Sequence, residues 1–439
     1  MNKSALTVAS CLLATSMLAA CGSSQPSGEA ASGESGSKVT LRFATNSVGK
    51  SGMAASVSEL LKQFKEENPN VNVVVEEANG TDLAMKIKVD VASNNTPDVF
   101  MFWRPDPTYG MDKFIQSGAI ADLTELKNDP QYKDLFDDSA WNTATVDGKV
   151  RAIPMISFFT PLFVNKEIFN QAGLKLPETW DELLNATKTL KQKGFIPWGI
   201  SLNPTSGTGL ERPMDYVLSG YLGNERALNL FAGKETFNDP EVVKSFELLR
   251  QLTAGYAPED AASLDDSAVF SKYINTGKAA MTLYGMGPLM SNLSEESMNK
   301  FTAIPFPTIP GGKQTKPYME KDLTMLLYAS SDAWKDPVKK EAAAKLIKKL
   351  STKEAGKLYV DQGKQIVPMQ GVDIDPAKIN QTVVDSMKLA AEEPGQYWLG
   401  KYMQPQGKEK FWPQLASFWS GQVTAEQLAQ MGNDAFFKK

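Results

Sequence analysis

Two hydrophobic periods alternate from Lys38 onward, and this alternation restricts the fold more than any other feature of the chain. Val39-Thr40-Leu41-Arg42-Phe43-Ala44 alternates and is β-branched, as a half-buried strand requires. Val57, Leu60, Leu61 and Phe64 then fall at i, i+3, i+4 and i+7, which predicts a helix ending before Asn68-Pro69. Val71 to Val75 predicts a second strand, Thr81 to Ala92 a helix, and Asp98 to Phe102 a third strand. Such a run implies right-handed crossovers and a largely parallel sheet. A second set begins near Pro154. There Thr179-Trp180-Asp181-Glu182 reads as a capping box, Leu183, Leu184 and Leu190 continue its helix, and Gly194 can end it in a left-handed conformation. Phe195 to Leu202 is the next expected strand. Ala343, Leu346, Ile347 and Leu350 mark a late amphipathic helix whose lysine-rich face (Lys339, Lys340, Lys345, Lys348, Lys349) is expected to be solvated. Two α/β units in one chain place the default ligand site in the crevice between them.

Composition removes most enzymatic chemistries. The 439 residues include no histidine, which excludes Ser-His-Asp catalysis and imidazole-ligated metals. The only cysteines, Cys11 and Cys21, can form neither a disulfide framework nor a metal cluster. A net charge of −5, from 46 basic and 51 acidic side chains, argues against nucleic acid as partner. No carboxylates show EF-hand-like spacing, so no metal or cofactor is expected.

The first residues read as an export signal. Lys3 precedes Ala5 to Ala20, a stretch too short for a bilayer span, and it ends in Leu18-Ala19-Ala20-Cys21. This resembles the lipobox of bacterial lipoproteins, in which the cysteine thiol is diacylated before cleavage. A mature chain beginning at Cys21 would be held by two acyl chains, enough for stable anchoring. Gly22 to Ser37, rich in Gly and Ser, reads as a flexible tether.

Several motifs carry little. Thr205-Ser206-Gly207-Thr208-Gly209 is not followed by Gly-Lys-Ser/Thr, so a phosphate loop is not expected, and Gly285-Met286-Gly287-Pro288 lacks a dinucleotide fingerprint. Gly311-Gly312 reads as a hairpin turn. Adjacent carboxylates (Glu76-Glu77, Asp137-Asp138, Asp265-Asp266) could serve glycoside hydrolysis, but neighbours in a strand point to opposite faces. Aromatic residues say more. Trp103-Arg104-Pro105-Asp106-Pro107 directly follows a predicted strand, and Tyr397-Trp398 follows Pro394-Gly395, positions where rings can stack on sugar faces.

Further segments carry a family resemblance from about Val39 to the C-terminus. They are Phe64-Lys65-Glu66-Glu67-Asn68-Pro69, Ala92-Ser93-Asn94-Asn95-Thr96-Pro97-Asp98-Val99, Asp147-Gly148-Lys149 with Ile153-Pro154, Val164-Asn165-Lys166, Phe169 to Gly173, Pro177 to Leu183, and Gly277-Lys278-Ala279-Ala280-Met281 with Gly285. In this order they resemble the extracellular solute-binding proteins of ATP-driven sugar importers, the maltose-binding-protein-like family. Val164 departs from it, since many relatives carry Tyr before the Asn-Lys pair. The resemblance implies an α/β, two-lobed periplasmic-binding-protein-like fold, each lobe a mainly parallel sheet flanked by helices, with a hinge between lobes. Crossings are expected near Ile153-Pro154, Ile304-Pro305 and Ile366-Val367-Pro368. Lobe 1 would comprise 38–153 and 304–366, and lobe 2 would comprise 154–303 and 367–439.

The resemblance also assigns candidate ligand contacts. Asn46 follows the first strand, where relatives place a polar group. Trp103 and Asp106 match the loop in which an aromatic ring and a carboxylate line the cleft. Phe158 stands where a polar contact is common, which suggests a more apolar subsite. Asn203 and Thr205 follow the strand bearing Trp198, Tyr284 and Met286 flank Gly285, and Trp398 and Trp412 compete as a stacking platform. Trp141, Trp180, Trp198 and Trp334 are expected to pack. The expected protein is a non-enzymatic, monomeric, lipid-anchored receptor on the outer face of the cell membrane, Gram-positive in type. It would capture a carbohydrate, expected to be an oligosaccharide, for two permease subunits and a cytoplasmic ATPase. An exported glycosidase, or a receptor for a polyamine, metal or peptide, is the alternative.

Overall fold

The computed structural model describes residues 38–437 except 48, 51, 106–109, 206–207, 376, 394 and 404, and for Thr81, Lys401 and Pro405 the backbone alone. Cys21, the segment around it and Asp106 lie outside the described residues. The alternating run becomes β1 (Val39–Thr45), followed by α1 (Gly52–Glu67), β2 (Val71–Glu77), α2 (Gly80–Ala92) and β3 (Val99–Trp103). Val57, Leu60 and Phe64 form the buried stripe of α1. β1 runs parallel to β2 from Val39↔Val71 to Thr45↔Glu77, and parallel to β3 at Phe43↔Val99. These are the helix-crossed strands, and they have the predicted orientation.

The remaining strands differ. β4 (Ile153–Thr160) and β5 (Leu162–Asn165) are nearly continuous, and β6 (Ile196–Trp198), β7 (Ala279–Thr282), β8 (Phe301–Ile304) and β9 (Met319–Ala329) follow. The first sheet has the order 395–396, β9, β3, β1, β2, with β4 also on β9; the second has the order β8, β5, β7, β6. β9 is antiparallel to β3 and β4, and β5 is antiparallel to β7 and β8. Both sheets are therefore mixed. The antiparallel members are those that carry the chain from one sheet to the other, and no crossover helix dictates their direction. Pro154 sits within β4 opposite Leu326, so the Ile153-Pro154 step belongs to a paired strand. The strand expected over Phe195 to Leu202 is confined to β6; beyond it the chain peels away and the Leu202 amide bonds Ala261 O instead. The Gly311-Gly312 turn closes a long hairpin in which Phe306 and Tyr318 exchange backbone bonds, with Gly311 at φ +76°.

The Thr179–Glu182 capping box starts α3 (Trp180–Gln192). Near the second sheet lie the buried helix α4 (Thr208–Leu222) and the amphipathic helix α5 (Pro240–Thr253). α6 (Pro337–Leu350) buries Ala343, Leu346, Ile347 and Leu350, each larger side chain contributing about 1.5–3 kcal/mol. Its lysine face is not merely solvated: Lys339 pairs with Asp98, Lys340 with Glu125, Lys345 with Glu341, Lys348 with Asp129 and Lys349 with Glu67. Four of those acids come from elsewhere in the chain, which local sequence does not show. Later helices are α7 (Gln381–Glu392) and α8 (Pro405–Trp419). Among the described residues no helix is long and apolar enough to cross a membrane.

Candidate functional site

Strand alternation gives the β4–β9 ribbon two faces. Phe158 opposes Asp322 and Thr160 opposes Glu320 on one, while Ser157, Phe159, Lys321 and Leu323 lie on the other. The first face meets the end of β3, the start of α4 and the segment 398–402. Arg104, directly after Trp103, pairs closely with Asp322, and its guanidinium stands 4.5 Å from the Tyr402 ring centroid. Arg212 of α4 pairs closely with Glu320. Its guanidinium also lies 4.3 Å over Trp398 and 5.4 Å over Phe158, and those two rings meet edge-on at 6.1 Å. The Trp398 Nε1 donates to Glu211.

α4 is buried around most of its circumference, yet it carries Glu211, Arg212 and Asp215 within its first turns. Burial raises the Glu211 carboxyl above its ordinary range, opposed by Lys408, Arg212 and the indole N–H. Burial and then the charge of Glu211 push Asp215 higher still, opposed by Arg212, Lys408 and the Gly400 amide. An ion pair this deep repays its desolvation poorly, which marks the start of α4 as a candidate functional feature.

A second cluster holds the start of α4. Tyr284 is buried, donates to Asp266 Oδ1 at 2.7 Å, and accepts from the Ser201 amide at 3.0 Å. Burial raises both its phenol and the Asp266 carboxyl. Gly209 is needed here because a Cβ would lie 2.7 Å from both the Ser201 amide and the Tyr284 hydroxyl. The Asn203 amide donates to Ser201 Oγ, and Asn203 accepts from the Thr205 amide and hydroxyl, so Tyr284, Asn203 and Thr205 belong to one wall. Met286 is fully buried at the start of a short helix.

The structure thus brings Phe158 and Trp398 together and sets Trp103 one residue from the Arg104–Asp322 pair. Trp103 itself is half-buried and its carbonyl accepts from the Tyr328 hydroxyl. Asn46, at the end of β1, places Nδ2 3.9 Å from Met325 Sδ. Trp412 stands on α8 with Lys408 5.1 Å over its ring. Trp141, Trp180 and Trp198 are buried and Trp334 is half-buried. Sequence reasoning passed over Arg104, Glu211, Arg212, Asp215, Glu320 and Asp322. The available signal was Glu211-Arg212-Pro213-Met214-Asp215 interrupting an otherwise apolar helical pattern. The opposite face of the ribbon borders a cavity of about 670 Å³, with Lys321, Leu323, Phe159, Met369, Met387 and Ala390 among its walls, and Phe158 and Asp322 contributing. Lys321 spans it to the Ala390 and Glu393 carbonyls at the end of α7, and burial lowers its pKa.

Residues 50–357 match the family described as bacterial extracellular solute-binding protein. The multiple sugar-binding protein of Streptococcus mutans is 25% identical over 404 residues, 89% of this chain and 87% of its own. A Streptomyces coelicolor protein described as a "probable secreted solute-binding lipoprotein" superposes with a TM-score of 0.79 at 19% identity, covering 90% of this chain and 98% of its own. A chitin oligosaccharide binding protein gives 0.74 at 22% identity, with 91% and 98% covered.

Proposed function

Since the chain belongs to the bacterial extracellular solute-binding proteins, we propose that it captures a carbohydrate, an oligosaccharide, between its two sheets and delivers it to an ATP-driven importer in the membrane. The observation that carries this reading is the meeting of the Phe158 and Trp398 rings where β4, α4 and the segment 398–402 converge. Flat rings offer stacking surfaces for sugar C–H faces. Names among the relatives support a sugar cargo: multiple sugar-binding protein, maltodextrin-binding protein, and a raffinose complex.

In this account Trp103, Phe158 and Trp398 face the solute. Asn46, Asn203, Thr205 and Asp106 supply polar contacts, Trp412 flanks the platform, and Tyr284 and Met286 support the wall from behind. The two sheets with their helices act as lobes that close over the solute. The full-length pairing of β4 with β9 supports a first crossing after Thr160, with later crossings at 304–319 and around 366–368. Cys21 would be diacylated and tether a monomer to the outer face of the membrane, where it meets two permease subunits and their ATPase. No bond in the sugar is broken.

A thermal-shift and calorimetric panel of maltotriose, xylotriose, chitotriose and raffinose tests this. At least one sugar should raise the melting temperature and be recovered intact. Trp103→Ala should weaken that sugar's binding by about tenfold or more while the far-ultraviolet spectrum stays unchanged. Turnover of the sugar would instead identify a glycosidase.

A further inference from the structure

The segment carrying Trp398 has little backbone structure of its own. Residues 395–396 pair with Met319 and Glu320, and Leu399–Lys401 form one 3₁₀ turn. What fixes the ring comes from α4. Glu211 and Asp215 are four residues apart and share one helix face. Glu211 takes the indole N–H of Trp398. The Gly400 α-carbon is pressed against the same carboxylate: a Cβ there would lie 2.5 Å from Glu211 Oε2, 2.6 Å from Oε1 and 2.5 Å from Trp398 Nε1. Arg212 covers the ring at 4.3 Å and Phe158 abuts it edge-on, 82° between planes. In-plane rotation, tilt and translation of the indole are each opposed by a different group.

We infer that Glu211 is a positioning residue, which locks residues 398–400 onto α4 and so sets the plane of the Trp398 ring that receives the solute. The inference rests on the reading of Trp398 as a sugar platform given above. It accounts for Glu211 on a buried helix without assigning it to the ligand. α4, a rigid element of the second sheet's layer, then dictates the platform's orientation, and the loop only carries the ring.

The test uses the full mature chain and whichever panel sugar binds. Glu211→Leu keeps approximate size and removes the acceptor of the indole N–H. Folding should persist by far-ultraviolet dichroism, while the Trp398 emission, obtained by subtracting the W398F spectrum, shifts to longer wavelength and acrylamide quenches it more. Sugar affinity should fall by about tenfold, with W398F lowering it at least as much. If Glu211→Leu does not fold, Glu211→Asp, which withdraws the carboxylate by one methylene, must give the same emission shift and affinity loss. If W398F leaves affinity unchanged, the platform reading fails and this inference fails with it. If W398F weakens binding but neither Glu211→Leu nor Glu211→Asp moves the Trp398 emission or the affinity, the positioning inference alone is overturned. A loss of melting temperature with unchanged emission likewise makes Glu211 a purely structural residue.

Discussion

Tyr284, a candidate ligand contact, has its hydroxyl engaged within the protein. Its hydroxyl bridges Asp266 and the Ser201 amide inside the second sheet's layer. Tyr284→Phe leaves a raised, buried carboxyl short of a donor and an amide without its acceptor, a loss of about 1–3 kcal/mol. Urea unfolding should show that loss, with sugar affinity changed less than about threefold because the ring and its packing on Phe270 remain. Loss of affinity without loss of stability would instead give the hydroxyl to the ligand. Local features at this scale were readable in advance. The Thr179–Glu182 box needs only four consecutive residues, and the structure contains both of its reciprocal bonds. The Trp398–Glu211 and Arg212–Glu320 pairs span 187 and about 110 positions, and no local pattern points across such distances.

α4 is the element whose chemistry the sequence concealed most. Its apolar positions look like those of any core helix, and its charged ones look like a solvated face, until burial makes both faces interior. Asp215 allows a test of this arrangement by pH. Its carboxyl holds a proton more tightly when folded than when unfolded, because burial and Glu211 outweigh Arg212, Lys408 and the Gly400 amide. Its contribution is therefore favourable below the ordinary carboxylate range and is lost as pH rises through the interval up to the raised value, at about 1.4 kcal/mol per pH unit. Asp215→Asn cannot ionise. Its melting temperature should exceed that of the wild type increasingly as the pH rises above the ordinary carboxylate range. A difference that grows toward acid would contradict the burial and charge balance described for α4. α1, α3 and α6 were legible for the opposite reason: each has one apolar stripe and one wet face. Only the lysine pairings of α6 escaped, because Asp98, Glu125, Asp129 and Glu67 lie on other elements.

Two mixed sheets joined by the β4–β9 ribbon and the 304–319 connection give the molecule a seam, and the two faces of the ribbon offer different destinations for a solute. One carries Phe158, Glu320 and Asp322 toward Arg104, Arg212 and Trp398; the other borders the 670 Å³ cavity beside Lys321 and Met387. The α/β class and the parallel crossovers followed from periodicity alone. The antiparallel ribbon did not, since the pairing of Ile153–Thr160 with Met319–Ala329 joins strands separated by an entire α/β unit. If the lobes close on their cargo, X-ray scattering should record a smaller radius of gyration once a panel sugar binds, and none for a sugar that does not. The most direct measurement is a crystal structure of the complex with that sugar. The account predicts the sugar between Trp103 and Trp398, on the Phe158 side of the ribbon. Sugar seated instead in the cavity beside Lys321, with the Trp398 side empty, would contradict it.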